Sequence, residues 1–204
     1  DFGYQNAEIW VTEMSDYSGK PSDTAYLEQS EKEQAKELFK RYAYSLGIGV
    51  KKIFWIALME YYNYGGIGAN SYWDNVGLVN DPQNDGESHK KLGYYAYKKM
   101  VEVLEGSDWD NIQTIQEQGG IYVYRFMKGD KPIWVTWNDN SVEKQINISN
   151  IDSSSVKITE AVPNYESGKE VEDYSTAFLT KMESVENGKV VLKIKDLPVF
   201  VEED

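Results

Sequence analysis

Glu8-Ile9-Trp10-Val11-Thr12-Glu13 reads as a β-strand, because β-branched and aromatic residues run together and end on a carboxylate. A polar loop containing Ser18-Gly19-Lys20-Pro21 follows. Beyond it Ala35, Leu38, Phe39, Tyr42, Ala43 and Leu46 recur at spacings of three and four, the stripe of an amphipathic helix. Ser30 with Glu33 forms a capping box at its start, and Gly47 suits the C′ position at its end. The mostly apolar run Val50–Ala57 predicts a strand covered on both faces. After a long loop, a second helix is expected from His89 to Leu104, with Leu92, Tyr95, Ala96, Met100, Val103 and Leu104 on its apolar face. Strand, helix, strand, helix in this order predicts a parallel sheet with right-handed crossovers. Two such units cannot cover a sheet alone, so partner strands are expected from upstream chain or from another subunit.

Downstream of Gly106-Ser107-Asp108-Trp109 the texture becomes all-β. Short runs at 120–127, 132–137, 144–148, 156–162, 177–183, 189–194 and 198–202 alternate with turn signals, the spacing of an antiparallel β-sandwich. Asn187-Gly188 is a hairpin signal. The expected division is therefore residues 1–107, an α/β unit, and residues 108–204, the sandwich.

The chain has 204 residues, 34 Asp+Glu against 21 Lys+Arg, and a net charge of −13, so a polyanionic partner such as nucleic acid is disfavoured. It has no cysteine, which excludes disulfides, thiolate nucleophiles and Cys-based metal sites and leaves the compartment unreadable. The longest apolar run, Ile53 to Met59, is far short of the ~20 residues of a membrane span. The chain begins at Asp1 without an initiator Met, and an upstream segment is expected. No cofactor or metal is implied: the single histidine, His89, excludes a His-based metal site and gives a Ser-His-Asp triad no support. Asp81, Asp85 and Glu87 have the carboxylates of a Ca²⁺ loop but read first as a polar loop.

Glu13 closes the first strand at its C-terminal end, where barrel enzymes place their catalytic groups. Simple alternation sets Ile9, Val11 and Glu13 on one face, and Ile53, Trp55 and Ala57 on one face of the next strand. The plain alternative is a solvated strand-terminal Glu. Ile9-Trp10-Val11-Thr12-Glu13-Met14 resembles the seventh strand of the clan of (β/α)8-barrel glycoside hydrolases that includes cellulases, β-glucosidases, β-xylosidases and iduronidases. Lys52-Ile53-Phe54-Trp55-Ile56-Ala57 is similar to their eighth strand. Asn75-Val76-Gly77-Leu78-Val79, with Lys90 and Tyr94-Tyr95-Ala96-Tyr97, resembles their run into the last helix, and the C-terminal run Val190–Val201 their accessory β-domain.

The resemblance implies that the chain is the C-terminal βαβα part of a TIM barrel followed by a β-sandwich. It implies Glu13 as the nucleophile of a retaining O-glycosidase and Trp55 as a platform under the sugar. The general acid/base of that clan lies on strand 4, which these residues do not supply. A retaining enzyme needs two carboxyl groups about 5–5.5 Å apart, so the expected partners are a carbohydrate substrate and the N-terminal part of the barrel. Ser15 stands where the clan often has Gly. Tyr61, Tyr62, Tyr64 and Trp73, among the glycines of a long loop, are expected either to line the sugar cleft or to fold onto the sandwich. The competing reading is a non-catalytic carbohydrate-binding module on a degenerate half-barrel.

Overall fold

A computed structural model of the chain describes residues 7–204, so residues 1–6 of the first expected region lie outside the described residues. Strands β1 (Trp10–Met14) and β2 (Lys52–Trp55) pair in parallel as a two-stranded ribbon. Helix α1 (Glu31–Gly47) connects them, the short helical turn α2 (Pro82–Asp85) sits in the loop after β2, and α3 (Leu92–Leu104) follows. The remaining strands are β3 (Gln113–Gln118), β4 (Ile121–Lys128), β5 (Lys131–Asn138), β6 (Lys144–Ser149), β7 (Ser155–Glu160), β8 (Thr180–Ser184), β9 (Lys189–Ile194) and β10 (Val199–Glu203). They form a six-stranded sheet in the order β3-β4-β5-β10-β7-β8 and a separate β6–β9 pair, both antiparallel.

The helices form the middle layer. Leu38, Phe39, Tyr42 and Ala43 of α1 join Met100 and Leu104 of α3 in one apolar core with Tyr124, Phe126, Val135 and Phe200 of the six-stranded sheet. Met14, Ile53 and Trp55 pack onto the same core from the ribbon side. The opposite face of the large sheet meets β6 and β9 in a second core, where Ile146, Ile148, Val190, Leu192 and Ile194 cover Val123, Trp134, Val156 and Val201. Alternation in β6 and β9 is strictly buried-exposed, as expected for strands with one wet face.

Local details refine the expectations. Ser30 does cap α1, its hydroxyl accepting from the Glu33 amide at 3.1 Å, while the Glu33 carboxylate turns to Lys36. Gly47 is the last helical residue, not the left-handed cap; that conformation falls to Gly49 at φ 92°. Gly47 is required for another reason: a Cβ there would lie 2.4 Å from the Tyr124 ring, so the helix end sits directly on the sheet. Asn187 and Gly188 both have positive φ, as their turn demands, yet β8 leaves for β7 and β9 for β6. The hairpin does close, Glu186 and Lys189 exchanging backbone hydrogen bonds at 2.9 and 3.0 Å around the two turn residues. The strands part beyond that bridge: β9 alternates into the second core beside β6, while β8 is a mostly exposed edge strand on β7.

The Glu31 carboxylate ties the two regions together. It accepts from the Leu92 amide at 2.8 Å, the Gly168 amide at 2.8 Å and the Ser167 hydroxyl at 2.9 Å. A Cβ on Gly168 would fall 1.9 Å from the Lys90 carbonyl, so only glycine permits this approach. Lys36 adds an ion pair to Asp196 at 2.5 Å.

Candidate active site

The register of the ribbon decides where Glu13 points. Trp10 pairs with Lys52, Val11 with Ile53 and Met14 with Trp55, with an irregularity between Val11 and Met14. Thr12 and Glu13 therefore face a single residue, Phe54, which is a β-bulge in a parallel pair. Val11, Ile53, Met14 and Trp55 are half-buried toward the helices, whereas Trp10, Thr12, Glu13, Lys52 and Phe54 are exposed. The bulge thus swings Glu13 away from the face of Val11 and onto the open face of the ribbon. Alternation alone, which grouped Glu13 with Ile9 and Val11, gives the wrong partners because it cannot foresee an extra residue.

The same register corrects Trp55. Its face is the helix face: the ring stacks on Tyr42 of α1 at 6.3 Å and 27°, and its Nε1 is buried. It supports the strand from behind and does not share a face with Glu13. The rings that do are Trp10, with the Lys52 ammonium 3.9 Å from its centroid, and Phe54.

The backbone just beyond Glu13 is clamped from α1. Arg41 Nη1 donates to the Ser15 carbonyl at 3.2 Å and its Nη2 lies 3.6 Å from Asp16 Oδ2. Gln34 Nε2 donates to the Asp16 carbonyl at 3.0 Å. Burial pushes the Asp16 carboxyl above the usual range, against the pull of Arg41 and the Tyr17 amide. Gln34 and Arg41 are seven residues apart on one helix face, a spacing that could have flagged them. The Ser15 hydroxyl lies 3.0 Å from the Tyr72 hydroxyl, giving this departure from the clan pattern a local partner.

That contact opens an aromatic array. Tyr26, Tyr17 and Tyr72 meet one another with centroids 5.1–5.5 Å apart, Tyr72 meets Trp73 at 5.4 Å, Trp73 meets Tyr64 at 5.9 Å, and Tyr64 meets Tyr61 at 5.2 Å. Tyr61, Tyr64, Tyr72 and Trp73 of the aromatic loop are thereby brought together, while Tyr17 and Tyr26 join from the loop after β1, a stretch with no visible pattern. Tyr62 stands apart, exposed on a neighbouring polar cleft. The aromatic loop folds onto the loop after β1: Ser22 N donates to Asn70 O at 2.7 Å, and Asn70 Nδ2 to Lys20 O at 2.8 Å.

Glu60, just past β2, would be expected from its place in the sequence to lie in the loop or at its rim, and the structure buries it. It forms an ion pair with Lys91, whose ammonium also donates to Ser18 Oγ at 2.9 Å and the Asn75 carbonyl at 3.3 Å. Among the described residues no group of three His, Cys, Asp or Glu could hold a metal ion, and no helix is long and apolar enough to cross a membrane.

No family model and no curated protein matches the chain. Solved structures do. A family 39 glycoside hydrolase from the gut symbiont Bacteroides cellulosilyticus WH2 matches with TM-score 0.62 and 19% identity over 97% of this chain and 34% of its own. A GH30 endoxylanase from Clostridium papyrosolvens C71 gives 0.53 and 13% over 97% and 42%. The family 30 subfamily 8 xylanase Xyn30A from Clostridium acetobutylicum gives 0.54 and 16% over 97% and 43%. The chain spans 34–43% of these three chains, and at such identities what it shares with these glycoside hydrolases is the fold.

Proposed function

We propose that the chain is the C-terminal portion of a retaining O-glycosyl hydrolase, contributing the nucleophile Glu13. In this reading residues 1–107 are the last two βα units of a (β/α)8 barrel and residues 108–204 its accessory β-sandwich. The observation that carries it is the bulge, which sets Glu13 on the open face at the C-terminal end of β1, the face a closed barrel would turn inward. The Glu13 carboxylate attacks the anomeric carbon as the leaving group departs, forming a glycosyl ester that water then hydrolyses. Protonation of the leaving oxygen, and deprotonation of that water, belong to a second carboxyl about 5–5.5 Å away, supplied by the N-terminal part of the barrel in the same or another chain. On the open face β2 contributes no carboxylate, only Lys52 opposite Trp10 and Phe54 opposite Thr12 and Glu13, and without the acid/base the 204-residue chain alone is inactive in this reading.

The substrate is a polysaccharide, oligosaccharide or glycoside, as for the endoxylanase and xylanase that share the fold. Tyr61, Tyr64 and Trp73 extend from the strand end as a wall on which pyranose faces stack. In the assembled enzyme Glu13→Gln removes the nucleophile and keeps the shape. A kcat reduced by several orders of magnitude with unchanged thermal stability supports the reading, and near-parental kcat refutes it.

A further inference from the structure

Apart from the Glu13 face there is a cleft of about 600 Å³ between the loops that follow β1 and β2, the N-termini of α1 and α3, and the turn at Ser167. None of its lining residues lies on β1 or β2. Its floor is unusual for this chain: Ser18, Glu60, Asp74, Asn75, Asn80 and Lys91 all line it, and all are buried. Burying polar groups is costly unless each is paired, and here the charges are paired within the protein. Lys91 spends its donors on Glu60, Ser18 and the Asn75 carbonyl. Asp74 accepts from the Ser71 amide and hydroxyl, each at 2.7 Å, and from the Tyr64 amide at 2.9 Å. The floor is therefore polar and internally hydrogen-bonded, with two carboxylates, Glu60 and Asp74, against the one ammonium of Lys91. The rim carries the exposed Tyr62 ring, the exposed Lys169 and Gln83 side chains, and the exposed amides of Asn70 and Asn84. These last two are held in place by Asn70 Nδ2 donating to Lys20 O and by Asn84 Nδ2 donating to Glu60 Oε2 and the Tyr61 and Asp74 carbonyls.

This chemistry selects a ligand class. An apolar molecule would cover the exposed amides of the rim without replacing the hydrogen bonds they make to water. An anion would meet three carboxylates, Glu31, Glu60 and Asp74, against two lysines, Lys91 and Lys169, of which the Lys91 ammonium is already engaged on the floor. Amides that both donate and accept, beside one tyrosine face, suit a neutral polyhydroxyl compound. The volume lies inside the range of about 300–1,000 Å³ typical of ligand pockets.

We propose that this cleft is a second carbohydrate-binding site, distinct from the Glu13 face, that takes a short stretch of neutral oligosaccharide. Tyr62 stacks on a pyranose ring, and Asn70, Gln83 and Asn84 hydrogen-bond its hydroxyls. The site goes beyond the glycosidase reading and does not depend on it.

The test is an amide chemical-shift titration of the 204-residue chain with glucose, xylose and the β-1,4-linked tetramer of each. At least one tetramer is expected to shift the amides of Tyr62, Asn70, Gln83 and Asn84. Tyr62→Ala and Gln83→Ala, both at exposed positions, are each expected to weaken binding about 2- to 10-fold, the size of one stacking or hydrogen-bonding contact. Glu13→Gln is expected to leave it unchanged. Absence of shifts at these amides with all four probes overturns the site, as do shifts that Tyr62→Ala leaves intact. Shifts confined to Tyr64 and Trp73 overturn it while sparing the role of Glu13. Shifts at Tyr62, in an enzyme whose Glu13→Gln variant keeps full turnover, uphold this site and sink the other reading.

Discussion

Strand β5 buries seven of its eight residues, while β2, with large apolar side chains at three of its four positions, buries none fully. The large sheet has helices on one face and the β6–β9 pair on the other. The ribbon has helices on one face only, and Trp10 and Phe54 stand open on the other. The contrast separates two tasks. In the β-region side chains exist to be covered, and their chemistry is spent on packing. On the ribbon the open face carries apolar rings that gain nothing from water, together with the strand-end carboxylate Glu13, and under the proposed function this is where a substrate and further strands would sit.

The contrast breaks most easily at its core. Trp134 lies between the large sheet and the β6–β9 pair, and Trp134→Ala is expected to cost about 3–5 kcal/mol in urea unfolding. Next in size is the fastening between regions. Glu31→Ala removes three hydrogen bonds to a carboxylate and is expected to cost about 1.5–3 kcal/mol. Hydrogen exchange should show faster exchange at Gly168 and Leu92 with β4 and β5 unaffected; equal acceleration everywhere would mean the two regions unfold as one.

A smaller effect reports on the clamp behind Glu13. Burial raises the Asp16 pKa in the folded state, so Asp16 favours folding below its unfolded pKa of about 3.9 and loses that contribution as pH rises through the folded value. Asp16→Asn does not ionise. Its stability relative to the parent should therefore rise across that acid window and then level off. The opposite slope would show that Arg41 outweighs burial. Smallest of all, Phe54→Ser should change the stability of this chain by less than about 0.5 kcal/mol, because the ring is 50% exposed. A cost close to that of Trp134→Ala would mean the ribbon's open face is covered after all.

The parts of this fold set by local pattern were legible in the sequence. The 3.6-residue stripe of α1, the parallel pairing implied by the βαβα order, and the positive φ at Asn187 and Gly188 need only near neighbours. β3 went unseen because its residues, Gln113–Gln118, are almost all polar and it is an edge strand. At the site, the sequence pointed to Glu13 and the aromatic loop but assigned the faces wrongly. One extra residue in β1 moves Glu13 across the ribbon relative to Trp55, and no periodicity announces it. Asp16, Arg41 and Tyr17 act through tertiary contacts between segments that look ordinary by themselves.

The role of Glu13 is tested most directly by trapping the covalent intermediate. A 2-deoxy-2-fluoroglycoside with a good leaving group, incubated with the assembled enzyme, slows hydrolysis of the glycosyl ester so that it accumulates. Proteolysis and peptide mass mapping should then find the fluorosugar on the peptide carrying Glu13, with labelling lost in Glu13→Gln. A label on any other carboxylate, in an enzyme that this reagent inactivates, would contradict the assignment of Glu13 as the nucleophile.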